Sequence, residues 1–401
     1  MTARWPLLLL LPAAVAATAC GDNLAGLGDG GGGGTLTDAA PGADAAPGGD
    51  AAPVDGSITG ATGFAVATDY ATAGVATTVS IPGLEVTTNA VEGVASTDPV
   101  VRRIGDRLYI VNRFGQDNVT VLDAGDLSLV GQISTGPGSN PQDVAVVGDL
   151  LFVAAFGGPG LVVIDITRPD DGVIETIDLS GLDPDDGLPN CGTVAAVGDR
   201  VVAVCGVLDD ANFLTPRGPG VAAIIDPAGR AAVDTVTMTQ IRPLGLAQVM
   251  GGAEPALLVA TVADFSDLDG DGCVERITVG EGGGASACLV DNADLGGFVS
   301  ALAWDEAGDR LWMTVTTSFD ENDFGPHGDL VSTSGEGGDL QRAALAEEVR
   351  PMDLALCPSG HLIVSDATRG VRVLAPGAAE ELTSAALDIG LPPVSNGLAC
   401  H

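Results

Sequence analysis

Lysine is absent from the 401 residues, and all sixteen Lys or Arg positions are Arg. That excludes Schiff-base chemistry and any mechanism resting on a catalytic Lys. Histidine is nearly as scarce, with only His327, His361 and His401. No C-x-x-C-H, H-E-x-x-H or G-x-S-x-G string occurs, so attached c-type haem, a zincin and a serine hydrolase lack sequence support. His327 and His361 read as loop and turn residues rather than a general base and its partner. Positive charge is in deficit: Asp and Glu number 54 and the formal net charge is -38. Nucleic acid and an anionic membrane surface are thereby excluded as expected partners, because phosphate binding needs a basic face. A protein or a cationic ligand remains open, and the chain is expected to be a monomer.

Residues 1–19 have the form of an export signal: Arg4 supplies the charged start and Trp5 to Ala16 an apolar run too short to span a bilayer. Ala17-Thr18-Ala19-Cys20 follows. A Cys placed there resembles a bacterial lipobox, in which the Cys is diacylated and becomes the new N-terminus. The alternative is a soluble secreted protein with a spare thiol at Cys20. Gly21 is not the Asp of inner-membrane retention in enteric bacteria, which points to the outer membrane, facing either side.

Residues 20–59 hold a Gly run and three repeats, Asp38-Ala-Ala-Pro41, Asp44-Ala-Ala-Pro47 and Asp50-Ala-Ala-Pro53. With so little apolar bulk this segment reads as a disordered tether. As a flexible coil of about 38 residues it would span on the order of 35 Å.

From residue 60 to 401 the chain repeats. A unit opens with an apolar strand, turns at a Gly-containing pair and returns in a second strand, as in QDVAVVGDLLFVAAF from Gln142 and GTVAAVGDRVVAVCG from Gly192. A third strand and an Asp turn into a fourth follow, as in NVTVLDAGDLSLVGQI from Asn118. Four antiparallel strands per unit make the blade of a propeller. Units start near Pro99, Pro141, Cys191, Pro243, Val299 and Pro351. Residues 60–98 supply three strands lacking an inner one, and VSNGLACH at the other end is an inner strand lacking partners. The expectation is an all-β, seven-bladed propeller closed by both termini. Ala145, Ala195, Ala247, Ala303, Ala355 and Ala399 fall at one place on the inner strands, where blades converge, and Arg103 is expected there in the first unit.

The stretch from Leu108 to Val146, with Val111-Asn112, Asn118 and Pro141, resembles the YVTN-type propeller repeat. The resemblance covers two blades and implies fold more than function.

Asp267-Leu-Asp269-Gly-Asp271-Gly-Cys273-Val-Glu275 places carboxylates at alternate positions, a Gly for the turn and a carbonyl at Cys273. Hard oxygen donors so spaced suit structural calcium. Thr278 stands where an EF-hand needs Glu, and the loop instead resembles the calcium hairpins of integrin-type propellers. A merely solvated acidic turn is the plain alternative.

Six Cys beyond Cys20, an even number in an exported chain, point to disulfides. Strand positions suggest Cys191 with Cys205, Cys273 with Cys288, and Cys357 with Cys400, although sequence does not prove connectivity. The string SNGLAC from Ser395 resembles an inner-strand signature of gluconolactonase and strictosidine-synthase propellers, where Asn joins carboxylates around a channel metal. That resemblance implies a metal-dependent lactonase with Asn140, Asp143, Asp353 and Asn396 at the channel mouth, but the family's following strand is missing after His401; a channel plugged by Arg103 would favour a binder instead. A binding or scaffold propeller is the main expectation. Long insertions at 180–190, 207–219, 264–272 and 318–329 would share one face, with Asp209, Asp210, Phe213, Phe265, Phe319, Asp320, Asp323 and Phe324 as candidate partner contacts.

Overall fold

Short aliphatic runs separated by Gly-Asp pairs set the local structure. Ile104 pairs with Arg107, Val147 with Leu150 and Val197 with Arg200, which leaves Gly105-Asp106, Gly148-Asp149 and Gly198-Asp199 as two-residue hairpin loops. These three glycines have φ of 62°, 60° and 60°. A Cβ disfavours that backbone at the first loop position, so Gly is selected there.

The computed structural model describes residues 61–401 apart from 253, 263–267, 269, 281–282, 321–324, 346–348 and 369, with backbone alone at 246. The export signal, Cys20 and the tether therefore lie outside the described residues. Among those described, the strands form seven four-stranded antiparallel sheets and one two-stranded ribbon, Leu208–Asp209 with Thr215–Pro216. The protein is a seven-bladed β-propeller.

Blades 1 to 6 begin with first strands Pro99–Ile104, Pro141–Val147, Cys191–Val197, Pro243–Met250, Phe298–Asp305 and Pro351–Leu356. The seventh sheet is composite. Its first strand, Pro393–Cys400, pairs with Ala61–Thr68, which leads on to Gly74–Ile81 and Val86–Thr87. Phe64 opposes Ala399 in that closing register.

The apolar core is divided into slabs between blades. Phe152, Leu161 and Val163 of blade 2 meet Val201, Ala203 and Ile225 of blade 3. Phe64 and Val66 of blade 7 meet Leu108, Ile110 and Leu122 of blade 1. Seven such clusters among the described residues account for the seven blade boundaries. Each strand thus alternates between the slab before it and the slab after it.

All three expected disulfide pairs are present: Cys191–Cys205 within blade 3, Cys273–Cys288 within blade 4, and Cys357–Cys400 between blades 6 and 7. Such bonds belong to proteins folded outside the cytoplasm. No helix among the described residues is long and apolar enough to cross a membrane.

Because strands alternate in direction, first-to-second and third-to-fourth turns emerge at one end of the propeller. Second-to-third and fourth-to-first connections emerge at the other, called here the loop end. The segment between Cys205 and Val221, with its ribbon and the short 3-10 turn Asp210–Asn212, is one of the long connections there.

Candidate functional site

The first strands surround a cavity of about 450 Å³ whose walls include Ala145, Ala195, Ala247, Ala303, Ala355 and Ala399. The one large side chain at their level is Arg102, not Arg103. Arg102 lies opposite Tyr109 as Ala145 lies opposite Phe152, Ala195 opposite Val202 and Ala303 opposite Trp312. Counting from the first residue of the strand misplaces it for a physical reason. First strands of blades 2, 3, 5 and 6 slip by one residue near their start, whereas that of blade 1 pairs without a break from Pro99 to Ile104. A missing bulge moves every later position by one. Arg103 also lines the cavity, but it stands exposed and makes no ion pair among the described residues.

Six alanines leave room for one arginine, and Arg102 bridges the channel. Its Nε donates to Asp143 Oδ1 at 2.7 Å and its Nη2 to Asn396 Oδ1 at 2.9 Å. Asn396 Nδ2 in turn donates to the Gly245 carbonyl of blade 4 at 3.4 Å. A hydrogen-bonded chain therefore runs from blade 2 through blades 1 and 7 to blade 4.

Asp143 and its buried counterpart Asp353 are also tied to backbone. Asp143 accepts the N–H of Val144 at 2.9 Å and of Val194 at 3.2 Å, and Asp353 accepts that of Leu398 at 2.9 Å. Burial pushes Asp353 up to about 7 against the pull of the Leu398 N–H, and raises Asp143 against the pull of Arg102. Asn140 does not reach the channel. Its Oδ1 accepts from the Phe114 N–H and from Gln142 Nε2, within a buried network in which Arg113 joins Asp98 and Gln142. Its αL backbone, φ 44°, turns the side chain toward that network.

The expected calcium ligands fit poorly where they are described. Glu275 is fully buried, and its carboxylate accepts the N–H groups of Thr239 and Gln240 at 2.9 and 2.7 Å and the Ser286 hydroxyl. The Cys273 carbonyl accepts from Thr261 Oγ1 at 2.9 Å. Glu275 thus fastens the connection from blade 3 to the outer half of blade 4, and strand alternation brings it to that boundary. Asp271 stands exposed, and Asp267 and Asp269 lie outside the described residues. Cys273 and Cys288 approach Asp291, but their sulfurs are joined as a disulfide and offer no thiolate.

At the loop end, Arg217 gathers the carboxylates of blade 3. It contacts Asp183 at 2.6 Å, Asp186 at 2.9 Å and Asp209 at 3.2 Å, and donates to the Leu208 carbonyl at 2.8 Å. Asp210 accepts from Asn190 Nδ2 at 3.0 Å. Asp209 and Asp210 thus help to rigidify the loop as well as charge it. Phe213 projects from this clamped connection with 83% of its surface exposed. Phe319 does not: it is half-buried and packs on Phe298 with ring centroids 6.3 Å apart. Asp320 pairs with Arg350 at 3.5 Å and with His327 at 3.8 Å. Phe265, Asp323 and Phe324 lie outside the described residues.

Sequence reasoning missed Arg102, Tyr70 and Phe114. For Arg102 the signal was present in the Gly-Asp turn, which fixes register more reliably than the strand start does. Tyr70 and Phe114 sit in short connections, where insertion length gives no warning.

No family model matches the chain, and no curated protein matches it. Solved structures do. The hydrazine synthase of Kuenenia stuttgartiensis is 17% identical over 73% of this chain and 79% of its own, with a TM-score of 0.50. AztD of Citrobacter koseri is 10% identical over 85% and 98%, with a TM-score of 0.50. The dihydro-heme d1 dehydrogenase NirN is 12% identical over 87% and 76%, with a TM-score of 0.51. At such identities the likeness is one of fold.

Proposed function

We propose that this chain is a binding propeller of YVTN type, held at the outer membrane by lipid on Cys20, which presents its loop end to a protein or cationic partner. The observation that carries the reading is the chain of hydrogen bonds from Asp143 through Arg102 and Asn396 to Gly245. A channel hydrolase needs convergent carboxylates free to hold a metal or move a proton. Here both candidates are engaged with backbone N–H groups of the next blade. This favours the binding reading over the lactonase, and the surface it would use is the loop end, where Arg217 organises blade 3.

Calcium stays within this reading only with Asp267, Asp269 and Asp271 as ligands, in a structural role. Cross-linking in the native envelope tests the function. Partners should map to the connections at 180–190 and 206–220, and contacts confined to the opposite end would overturn it. Lactone turnover that disappears in Asp143→Asn and Asp353→Asn would restore the hydrolase.

A further inference from the structure

Among the described residues, the aromatic side chains that stand exposed are Tyr70, Phe114 and Phe213, at 45%, 41% and 83%. All three lie in second-to-third-strand connections, those of blades 7, 1 and 3, so all three are at the loop end. All three also have left-handed backbone, with φ of 56°, 25° and 54°. A bulky residue there costs on the order of 1–3 kcal/mol and persists only where surrounding contacts impose it.

Those contacts are visible. The Tyr70 N–H donates to Thr68 Oγ1 at 3.0 Å, the Phe114 N–H to Asn140 Oδ1 at 3.1 Å, and the Leu214 N–H, after Phe213, to the Asp209 carbonyl at 3.0 Å. The Tyr70 phenol lies within electrostatic reach of Arg113 and Asp98 of blade 1, across the closure of the propeller. Exposed aliphatics are distributed differently: Leu129, Val130, Val173, Ile174 and Val233 are on the outermost strands of blades 1 to 3, Val249 is on the first strand of blade 4, and Leu340 is in a third-to-fourth turn of blade 5. Left-handed backbone recurs at other non-Gly positions, such as Leu84, Leu127 and Arg230, but every exposed aromatic side chain among the described residues shares it, and all three lie at one end.

We propose that Tyr70, Phe114 and Phe213 are contact residues for a cationic polypeptide that docks on the loop end. This rests on the partner-binding reading above and names the partner's chemistry. The whole chain carries -38 formal charges and no Lys, and rigid rings beside carboxylates accept Arg or Lys side chains by cation–π contact and by charge together. Rings held by a fixed backbone lose little entropy on binding, which suits hot-spot residues.

The test uses full-length protein in detergent and labelled deca-arginine, with binding followed by fluorescence anisotropy at physiological salt. Tyr70→Gly, Phe114→Gly and Phe213→Gly combined should weaken binding by about tenfold or more. The same variant should melt at a higher temperature than the wild type, because Gly relieves the left-handed backbone. Val130→Ser with Val233→Ser, on the outermost strands, should leave binding unchanged. The proposal is overturned if the wild type fails to bind at this salt, or if the triple variant binds equally well. Binding of neutral chitohexaose that depends on the three rings while peptide binding does not would also overturn it. If native cross-links fall on the loop end while peptide binding ignores the rings, this inference fails and the broader function stands.

Discussion

Asp143 and Asp353 are counterparts in blades 2 and 6. Each lies two residues before an inner alanine, and each accepts the N–H of the residue preceding the inner alanine of the next blade, Val194 at 3.2 Å and Leu398 at 2.9 Å. The shared role is to tie blade to blade at the narrow end of the slab, where side chains are too small to pack. They differ in that Asp143 also has Arg102, whereas Asp353 makes no ion pair among the described residues.

That difference predicts a pH dependence. An unfolded Asp ionises near about 3.9, while burial holds Asp353 protonated up to about 7. Between those values the native state binds more protons, so stability falls as pH rises through the window and levels off above it. Asp165, held at about 2 by Thr167 and Arg168, acts in the opposite sense but only below the usual carboxylate range. Melting curves from about pH 4 to about pH 8 should show Asp353→Asn flattening the decline. An unchanged profile would remove Asp353 from the account.

Arg102→Met keeps much of the side-chain length and removes the donors to Asp143 and Asn396. Leaving the buried Asp143 without its cation should lower stability by about 3 kcal/mol. In the double variant with Asp143→Asn the losses should fall short of their sum by about 1–2 kcal/mol. Additive losses in urea melts would show that the pair is incidental.

Glu275 and calcium are separable by one pair of variants. Glu275→Gln replaces a carboxylate that accepts two backbone N–H groups and should lower stability by about 1–2 kcal/mol with or without EDTA. Calcium should raise the melting temperature of that variant as much as of the wild type, and should fail to do so in Asp271→Asn. If EDTA leaves the wild type unaffected, the loop holds no calcium.

The disulfides should differ in worth. Cys357–Cys400 closes a separation of 43 residues and Cys191–Cys205 one of 14. Chain entropy then gives about 4 kcal/mol for the first and about 3 for the second. Paired Ser substitutions, compared in guanidinium melts, should rank in that order.

Cys20→Ser should release the protein from the membrane fraction, and intact-mass analysis of the wild type should find a diacyl group on Cys20. A soluble product beginning at Cys20 without added mass would rule the anchor out.

Blade number, ring closure and all three disulfide pairs were legible in the sequence, because Gly-Asp turns and alternating apolar strands set register locally. The channel was legible only in part. Asp143 lines the cavity, but Arg103 is off by one because a bulge absent from blade 1 leaves no mark in composition. Asn140 was misjudged because its αL turn redirects the side chain. Glu275 fitted a ligand pattern along the chain, yet its burial depends on the connection from blade 3, which lies far away in sequence. Phe319 read as a surface ring until Phe298, from another strand, covered it.

The composite seventh blade gives folding an order in time. Ala61–Thr68, Gly74–Ile81 and Val86–Thr87 emerge from synthesis first, and the strand that completes them, Pro393–Cys400, emerges after all six other blades. Until then the edge of Ala61–Thr68 lacks its neighbour and the channel cannot be bridged, since Asn396 is part of the late strand. The architecture itself delays the final lock until the last strand is made, and the Cys357–Cys400 bond, formed only with that strand, makes the lock covalent.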